Sequence, residues 1–269
     1  MRFGLVVEYD GTDFHGSQLQ SNARTVQGEI EHALFNIFHR SIRIYFASRT
    51  DSGVHARGQV GRFNHETDMP ADKIRIALNH YMKDDVRIRY AEVVKDGYDG
   101  FDPRGDASSR TYVYTFNDAQ SAPALNRRYV AHVRKKLNVE TMNVACRSLV
   151  GSHDFAAFAG PGTPIDASTR RQVKSAVTTR DGDNIKFKIT ANAYLHQQIR
   201  RVAGVLYDVG CGNAPHEVIC KLLDSARRGG ATQVMPASGL CLESIAYDGS
   251  GLFGLPVIPT SDSFDVSVN

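Results

Sequence analysis

The sequence predicts an α+β fold. Two β-α-β-β-α-β halves of ferredoxin-like plan lie side by side in one mostly antiparallel sheet, with a central cleft between them. Three observations carry this. Period-two alternation marks strands at both ends of each half, apolar stripes at helical spacing fall between them, and the element order of the first half recurs, with insertions, in the second. Asp102-Pro103-Arg104-Gly105 punctuates the pattern and sets an expected division into 1–104 and 105–248, followed by a Gly-, Pro- and Ser-rich tail over 249–269.

In the first half, Phe3, Leu5 and Val7 alternate in a strand over Arg2–Tyr9, and a Gly/Asp/Ser-rich loop follows as far as Arg24. Thr25 is the expected N-cap of a helix whose stripe is Val26, Ile30, Ala33, Leu34, Ile37 and Phe38. Ile42, Ile44 and Phe46 alternate as a second strand, and Val60 to Phe63 form a third. Pro70 suits the first turn of a helix carrying Ile74, Ala77, Leu78 and Tyr81, before Val86, Ile88 and Tyr90 close the half.

In the second half, Tyr112, Tyr114 and Phe116 alternate, and Asn138 caps a helix marked by Val139, Met142, Cys146 and Leu149. Val173–Thr179 and Ile185–Ile189 read as a hairpin around Asp181-Gly182-Asp183. A seam of Leu195, Ile199, Val202, Leu206 and Val209 predicts a helix ended by Gly210. A short helix with Val218, Ile219, Leu222 and Leu223 precedes a last strand over Leu240–Ile245.

With 42% hydrophobic and 23% charged residues in 269, the chain is globular rather than disordered. The formal charge of +3 says little, but Arg104, Arg110, Arg127, Arg128, Arg134, Lys135 and Lys136 crowd one stretch. Such a stretch is either a localised nucleic-acid footprint or a solvated loop and strand, and composition alone leaves both open. Cys146, Cys211, Cys220 and Cys241 form no C-x-x-C pair and have no histidine at zinc spacing. Free, mostly buried thiols in a reducing compartment are expected. No apolar leader precedes the first strand and no apolar run approaches membrane-spanning length, so the expectation is a cytoplasmic chain without membrane contact.

The most informative stretch is Ala47-Ser48-Arg49-Thr50-Asp51-Ser52-Gly53-Val54-His55-Ala56. It sets a carboxylate, Asp51, on the turn between two strands, with Arg49 two residues before and Gly53, free to bend, two after. A neighbouring cation favours the ionised form of a carboxylate, which suits a nucleophile or charge stabiliser better than a proton donor. By pattern alone an aspartate here also forms turns, and Arg49 either pairs with it or braces the turn through carbonyls.

Arg49 to Ala56, followed by Gly58-Gln59-Val60, resembles the signature of the TruA family, the pseudouridine synthases that act on the anticodon arm of tRNA. Four further segments are similar in the right order. They are Tyr9-Asp10-Gly11-Thr12-Asp13-Phe14-His15-Gly16, Arg110-Thr111-Tyr112-Val113-Tyr114, Gly151-Ser152-His153-Asp154-Phe155, and Tyr194 to Arg200 with Gly239-Leu240. The resemblance implies the pseudouridine synthase fold and an isomerisation of uridine that demands no metal or redox cofactor. It implies a tRNA partner and a homodimer, with one tRNA touching both subunits. It also implies the site. Asp51 attacks the sugar or withdraws a proton from it. Arg200, or less favourably Arg49, holds the carboxylate. Tyr112 stacks on the uracil and helps remove the C5 proton, and Leu240 completes an apolar wall. An extruded base is required, so His55 and Arg57 are candidates for phosphates or the vacated space. Arg110, Arg127 and Arg128, within the basic stretch, would hold the RNA backbone.

By pattern alone Tyr112 and Leu240 read as core residues, His153 as a structural hydrogen-bonder, and Arg200 is indistinguishable from Arg201. Ser17 stands where the family carries tryptophan, and Ser48 where glycine is common. Two other readings compete: an RNA-binding protein without catalysis, and a nucleosidase, which would want a second carboxylate.

Overall fold

The structure is a computed structural model and describes residues 1–94 and 101–248. The segment read as a tail, 249–269, lies outside the described residues. The first half comprises β1 (Arg2–Tyr9), α1 (Val26–Phe38), β2 (Ile44–Phe46), β3 (His55–Asn64), α2 (Ala71–Tyr81) and β4 (Val86–Val93). The second comprises β5 (Ala107–Asn117), β6 (Ala131–His132), α3 (Val139–Arg147), β7 (Gly151–Asp154), β8 (Arg170–Asp181), β9 (Asn184–Ala191), α4 (Gln198–Gly210), α5 (Val218–Ser225) and β10 (Leu240–Tyr247).

All the strands join one sheet in the order β4-β1-β3-β10-β5-β9-β8-β7, with β2 pairing β3 and β6 pairing β5. Both halves show the same plan, β4-β1-β3-β2 in the first and β10-β5-β9-β8 in the second. Pairing is antiparallel except at β5–β6 and at the seam, where β10 runs parallel to β3 with Cys241 opposite His55 and Leu242 opposite Ala56. Farther along β3, Gly61 to Phe63 pair with β2. One edge of β3 therefore serves both neighbours, and the β2–β3 connection, 47–54, emerges where the two halves meet.

Local chemistry explains the helix starts. Thr25 Oγ1 accepts the Gly28 N–H at 3.2 Å, and Asn138 Oδ1 accepts that of Thr141 at 2.9 Å. Val26, Ile30, Ala33 and Leu34 of α1 join Phe3, Leu5, Val7 and Phe63 of the sheet in one core. Each of the larger of these side chains contributes about 1.5–3 kcal/mol by leaving water. Along β5, Tyr112, Tyr114 and Phe116 face this core, while Val113 and Thr115 face the other side. The expected hairpin forms between Asp181 and Asn184, with Gly182 at φ 57°.

Several boundaries differ from the sequence reading. β3 begins at His55 rather than Val60, because its first residues pair with Tyr9 and with β10, partners invisible to local alternation. Leu195 falls outside α4: Gln197 adopts the left-handed conformation at φ 57°, so the helix starts only at Gln198 and Arg200 lies in its first turn. Pro70 is the cap preceding α2. β6 and β7 are too short for alternation to reveal. Of the cysteines only Cys146 is buried; Cys211 and Cys241 are half-buried and Cys220 is exposed, so burial is less general than expected. Among the described residues no helix is long and apolar enough to cross a membrane.

Candidate active site

The connection 47–54 is pinned on both sides of Asp51. The fully buried Gln59 amide brackets Ser48, accepting its N–H at 3.1 Å and donating to its carbonyl at 2.8 Å. Thr50 turns inward, with Oγ1 2.8 Å from the Tyr9 hydroxyl. Its N–H donates to Ser17 Oγ at 2.9 Å, and its carbonyl accepts the Ser17 N–H at 3.1 Å. Ser17, 1% exposed, therefore braces the loop by hydrogen bonds. On the far side the Ser52 hydroxyl donates to the Phe14 carbonyl at 3.1 Å. Two glycines permit the shape. Gly53 sits at φ 77°, and a Cβ on Gly11 would lie 2.0 Å from the Val54 carbonyl oxygen.

With its neighbours so held, Asp51 faces a cleft of about 780 Å³ between the halves. Arg200 Nη1 lies 3.2 Å from Asp51 Oδ2, while its Nε donates to the Met235 carbonyl at 2.8 Å. The cation beside the carboxylate is thus Arg200; Arg49 stands exposed on the cleft rim. His196 Nε2 lies 3.7 Å from the other oxygen, Oδ1.

Tyr112 is 5% exposed, with its hydroxyl 2.7 Å from Ser48 Oγ and its ring edge-on to Tyr194 at 5.2 Å. Burial pushes its phenol up to about 12, with the Ser48 hydrogen bond and Arg110 opposing and the Asp51 charge adding to the rise. The ring is a neutral wall of the cleft, and Leu240 lines it as well. Thr163 Oγ1, Arg171 Nε and Gln198 Nε2, from other cleft-lining residues, are buried without a hydrogen-bond partner. Asp51 is the one carboxylate among the described residues lining the cleft, against the five arginines 49, 104, 110, 171 and 200.

Other predicted contact residues are placed differently. Arg110 is 7% exposed, and its guanidinium donates to the carbonyls of Ala47, Arg104, Ala107 and Asn192. It ties the 47–54 connection to the second half, because the four acceptors it reaches are all backbone oxygens. His55 is 5% exposed, with Nδ1 accepting the Gly11 N–H at 3.0 Å, which spends it on the opening loop. Burial lowers its affinity for a proton, although Asp10 opposes that shift. Arg57 projects into a separate cavity and reaches Glu243 at 3.4 Å; its strand register carries it away from Asp51. Arg128 lies 3.8 Å from Asp10 and Asp13, and Arg127 donates to the Ala124 carbonyl. Lys136 pairs with Asp118 and Asp183. The basic stretch is therefore dispersed, because the chain leaves β5 after Asn117 and returns to the sheet only as the short β6. Sequence reasoning missed His196, Gln59 and the bracing role of Ser17. His196 lies inside the Tyr194–Arg200 segment, but residue type alone gives no sign of its partner.

The family profile described as tRNA pseudouridine synthase matches residues 5–99 and 145–248. The tRNA pseudouridine synthase A 2 of Clostridium perfringens is 38% identical over 244 residues, covering 90% of this chain and 98% of that one. The tRNA pseudouridine synthase A of Halalkalibacterium halodurans is 38% identical over 242 residues, 89% of this chain and 90% of that one. That of Acetivibrio thermocellus is 35% identical over 243 residues, 90% and 98% of the two chains. Fold, cleft and relatives together define an isomerase acting on RNA. The chain belongs to the tRNA pseudouridine synthase family, enzymes that convert uridine to pseudouridine.

Proposed function

We propose that this chain converts uridine to pseudouridine in the anticodon stem-loop of tRNA, with Asp51 as the reacting carboxylate. The observation that carries this is the cleft itself: among the described residues its one carboxylate is held by Arg200, beside the neutral Tyr112 and apolar Leu240, with Arg49 and Arg104 exposed at its lining. Arginines suit a polyanion, and the small aromatic and apolar wall suits one extruded base. Asp51 attacks C1′ or takes a proton from the sugar, and the N1–C1′ bond breaks. The base turns against Tyr112 and Leu240, C5 joins C1′, the C5 proton leaves and N1 gains one, so no atom is lost from the nucleoside. Confinement of the free base is what makes rejoining faster than escape. The anticodon stem-loop as target rests on the motifs shared with that family, as does assembly as a homodimer around one tRNA.

A nucleosidase would need a second carboxylate as acid, and among the described residues the cleft supplies none. The test uses unmodified tRNA transcript carrying uridine tritiated at C5. Tritium release with retention of the base, and primer-extension stops at alkali-resistant carbodiimide adducts in the anticodon arm, are the expected results. Free uracil in the supernatant, or full release by Asp51→Asn, would refute the assignment.

A further inference from the structure

His196 stands in a slot that only glycines could form. The Gly160 N–H donates to the His196 carbonyl at 2.8 Å, and the Gly162 N–H donates to His196 Nδ1 at 3.1 Å. A Cβ on Gly160 would come within 2.7 Å of that nitrogen, and one on Gly162 within 3.0 Å of the ring. The loop backbone lies directly against the imidazole. On the other side the chain takes the left-handed turn at Gln197, φ 57°, an unfavourable conformation for a side chain of this kind that persists only where surroundings over-determine it. Because Nδ1 accepts, the ring hydrogen resides on Nε2, and Nε2 is the atom 3.7 Å from Asp51 Oδ1. Arg200 approaches the opposite oxygen, Oδ2.

We infer that His196 is a positioning residue for Asp51, and that it links the 160–162 loop to the reacting carboxylate; this rests on the reading of Asp51 given above. A carboxylate held at one oxygen can swing about its Cβ–Cγ bond. Held at both, it presents one face to the ribose, and orientation of that kind is a large part of a rate. The present separation is too long for a hydrogen bond, and closure of about 0.8 Å would bring it to the ordinary N–H···O distance of about 2.9 Å. Contacts of catalytic groups commonly tighten in this way when substrate binds.

The test compares native protein, H196F and H196Q in single-turnover tritium release from saturating tRNA transcript, with tRNA affinity measured by filter retention. Phenylalanine keeps aromatic character in a somewhat larger ring and loses both nitrogens, whereas glutamine restores a donor near the Nε2 position. H196F is expected to slow release about 10- to 100-fold with affinity within twofold of native, and H196Q to recover to within about fivefold. Native release by H196F, equal losses in both variants, or a loss confined to affinity would overturn the inference and leave His196 as loop support. Asp51→Asn runs alongside. If it is inactive while H196F is native, only the role of His196 fails; if it is active, the parent reading fails.

Discussion

Arg200 Nη1 meets Asp51 Oδ2 at 3.2 Å, across 149 positions of sequence and across the seam between the two halves. The same guanidinium is anchored through Nε to the Met235 carbonyl, so its reach toward the carboxylate is set by the second half of the chain. Lysine offers one point charge on a flexible stem and cannot match the fixed spacing of Nε and Nη1 that serves the two acceptors. Arg200→Lys should slow pseudouridine formation about 10- to 100-fold, read in single turnover, with little change in tRNA retention. A native rate would detach Arg200 from the chemistry.

Tyr112 stays a phenol through the working range, since burial holds it up at about 12. Raising the pH from 8 to 10 therefore recruits no phenolate, and the rate should show no Tyr112-dependent rise there. Tyr112→Phe keeps the ring and loses the Ser48 hydrogen bond, a change of about 1 kcal/mol or roughly fivefold. A loss of a thousandfold would show the hydroxyl acting in proton transfer.

Ser17 offers a second handle on the same loop. Ser17→Ala leaves the buried Thr50 N–H without its acceptor, a cost of about 1–3 kcal/mol. The expected result is a lower Tm in thermal unfolding together with slower turnover, because Thr50 precedes Asp51 directly. An unchanged Tm would mean water replaces the hydroxyl.

The arginines divide by position. Arg104 lines the cleft, whereas Arg127 and Arg128 stand outside it. Arg104→Glu should weaken tRNA binding and reduce the slope of log K against log salt by about 1. The paired reversal of Arg127 and Arg128 should weaken binding while leaving the rate at saturating tRNA unchanged. Native affinity in that variant would remove the pair from the footprint.

Acid stability should depend on Asp118, whose side chain is fully buried. Burial opposes its charge, but hydrogen bonds from Arg180, the Leu137 N–H and Lys136 outweigh that and hold its carboxyl at about 2. A folded value below the unfolded one of about 3.9 means stability present above pH 4 and lost as pH falls from about 4 to 2. Asp118→Asn should cost about 3 kcal/mol at neutral pH and flatten that acid limb in urea titrations. Parallel acid limbs for the two proteins would count against this role.

Much of the fold was legible because its signals are local. Thr25 and Asn138 cap the helices they were expected to cap, and Tyr112, Tyr114 and Phe116 alternate as one inward face. The start of α4 was not legible, since Leu195 and Ile199 keep helical spacing although Gln197 breaks the helix between them. At the site, Asp51, Tyr112, Arg200 and Leu240 line one cleft. His55 and Arg57 follow Asp51 closely in sequence, yet the strand beginning at His55 carries both away from the cleft.

By itself the sequence determined most of the longer elements, their repeated order and the identity of the loop bearing Asp51, because spacing, capping and turn chemistry act over a few residues. Tertiary structure alone decided the distance at which Arg200 meets that acid, that Ser17 braces the residue before it, and that His196 faces Oδ1. The reason is the seam. Pairing β10 with β3 brings distant segments within bonding range, and no periodicity along the chain encodes a distance across it.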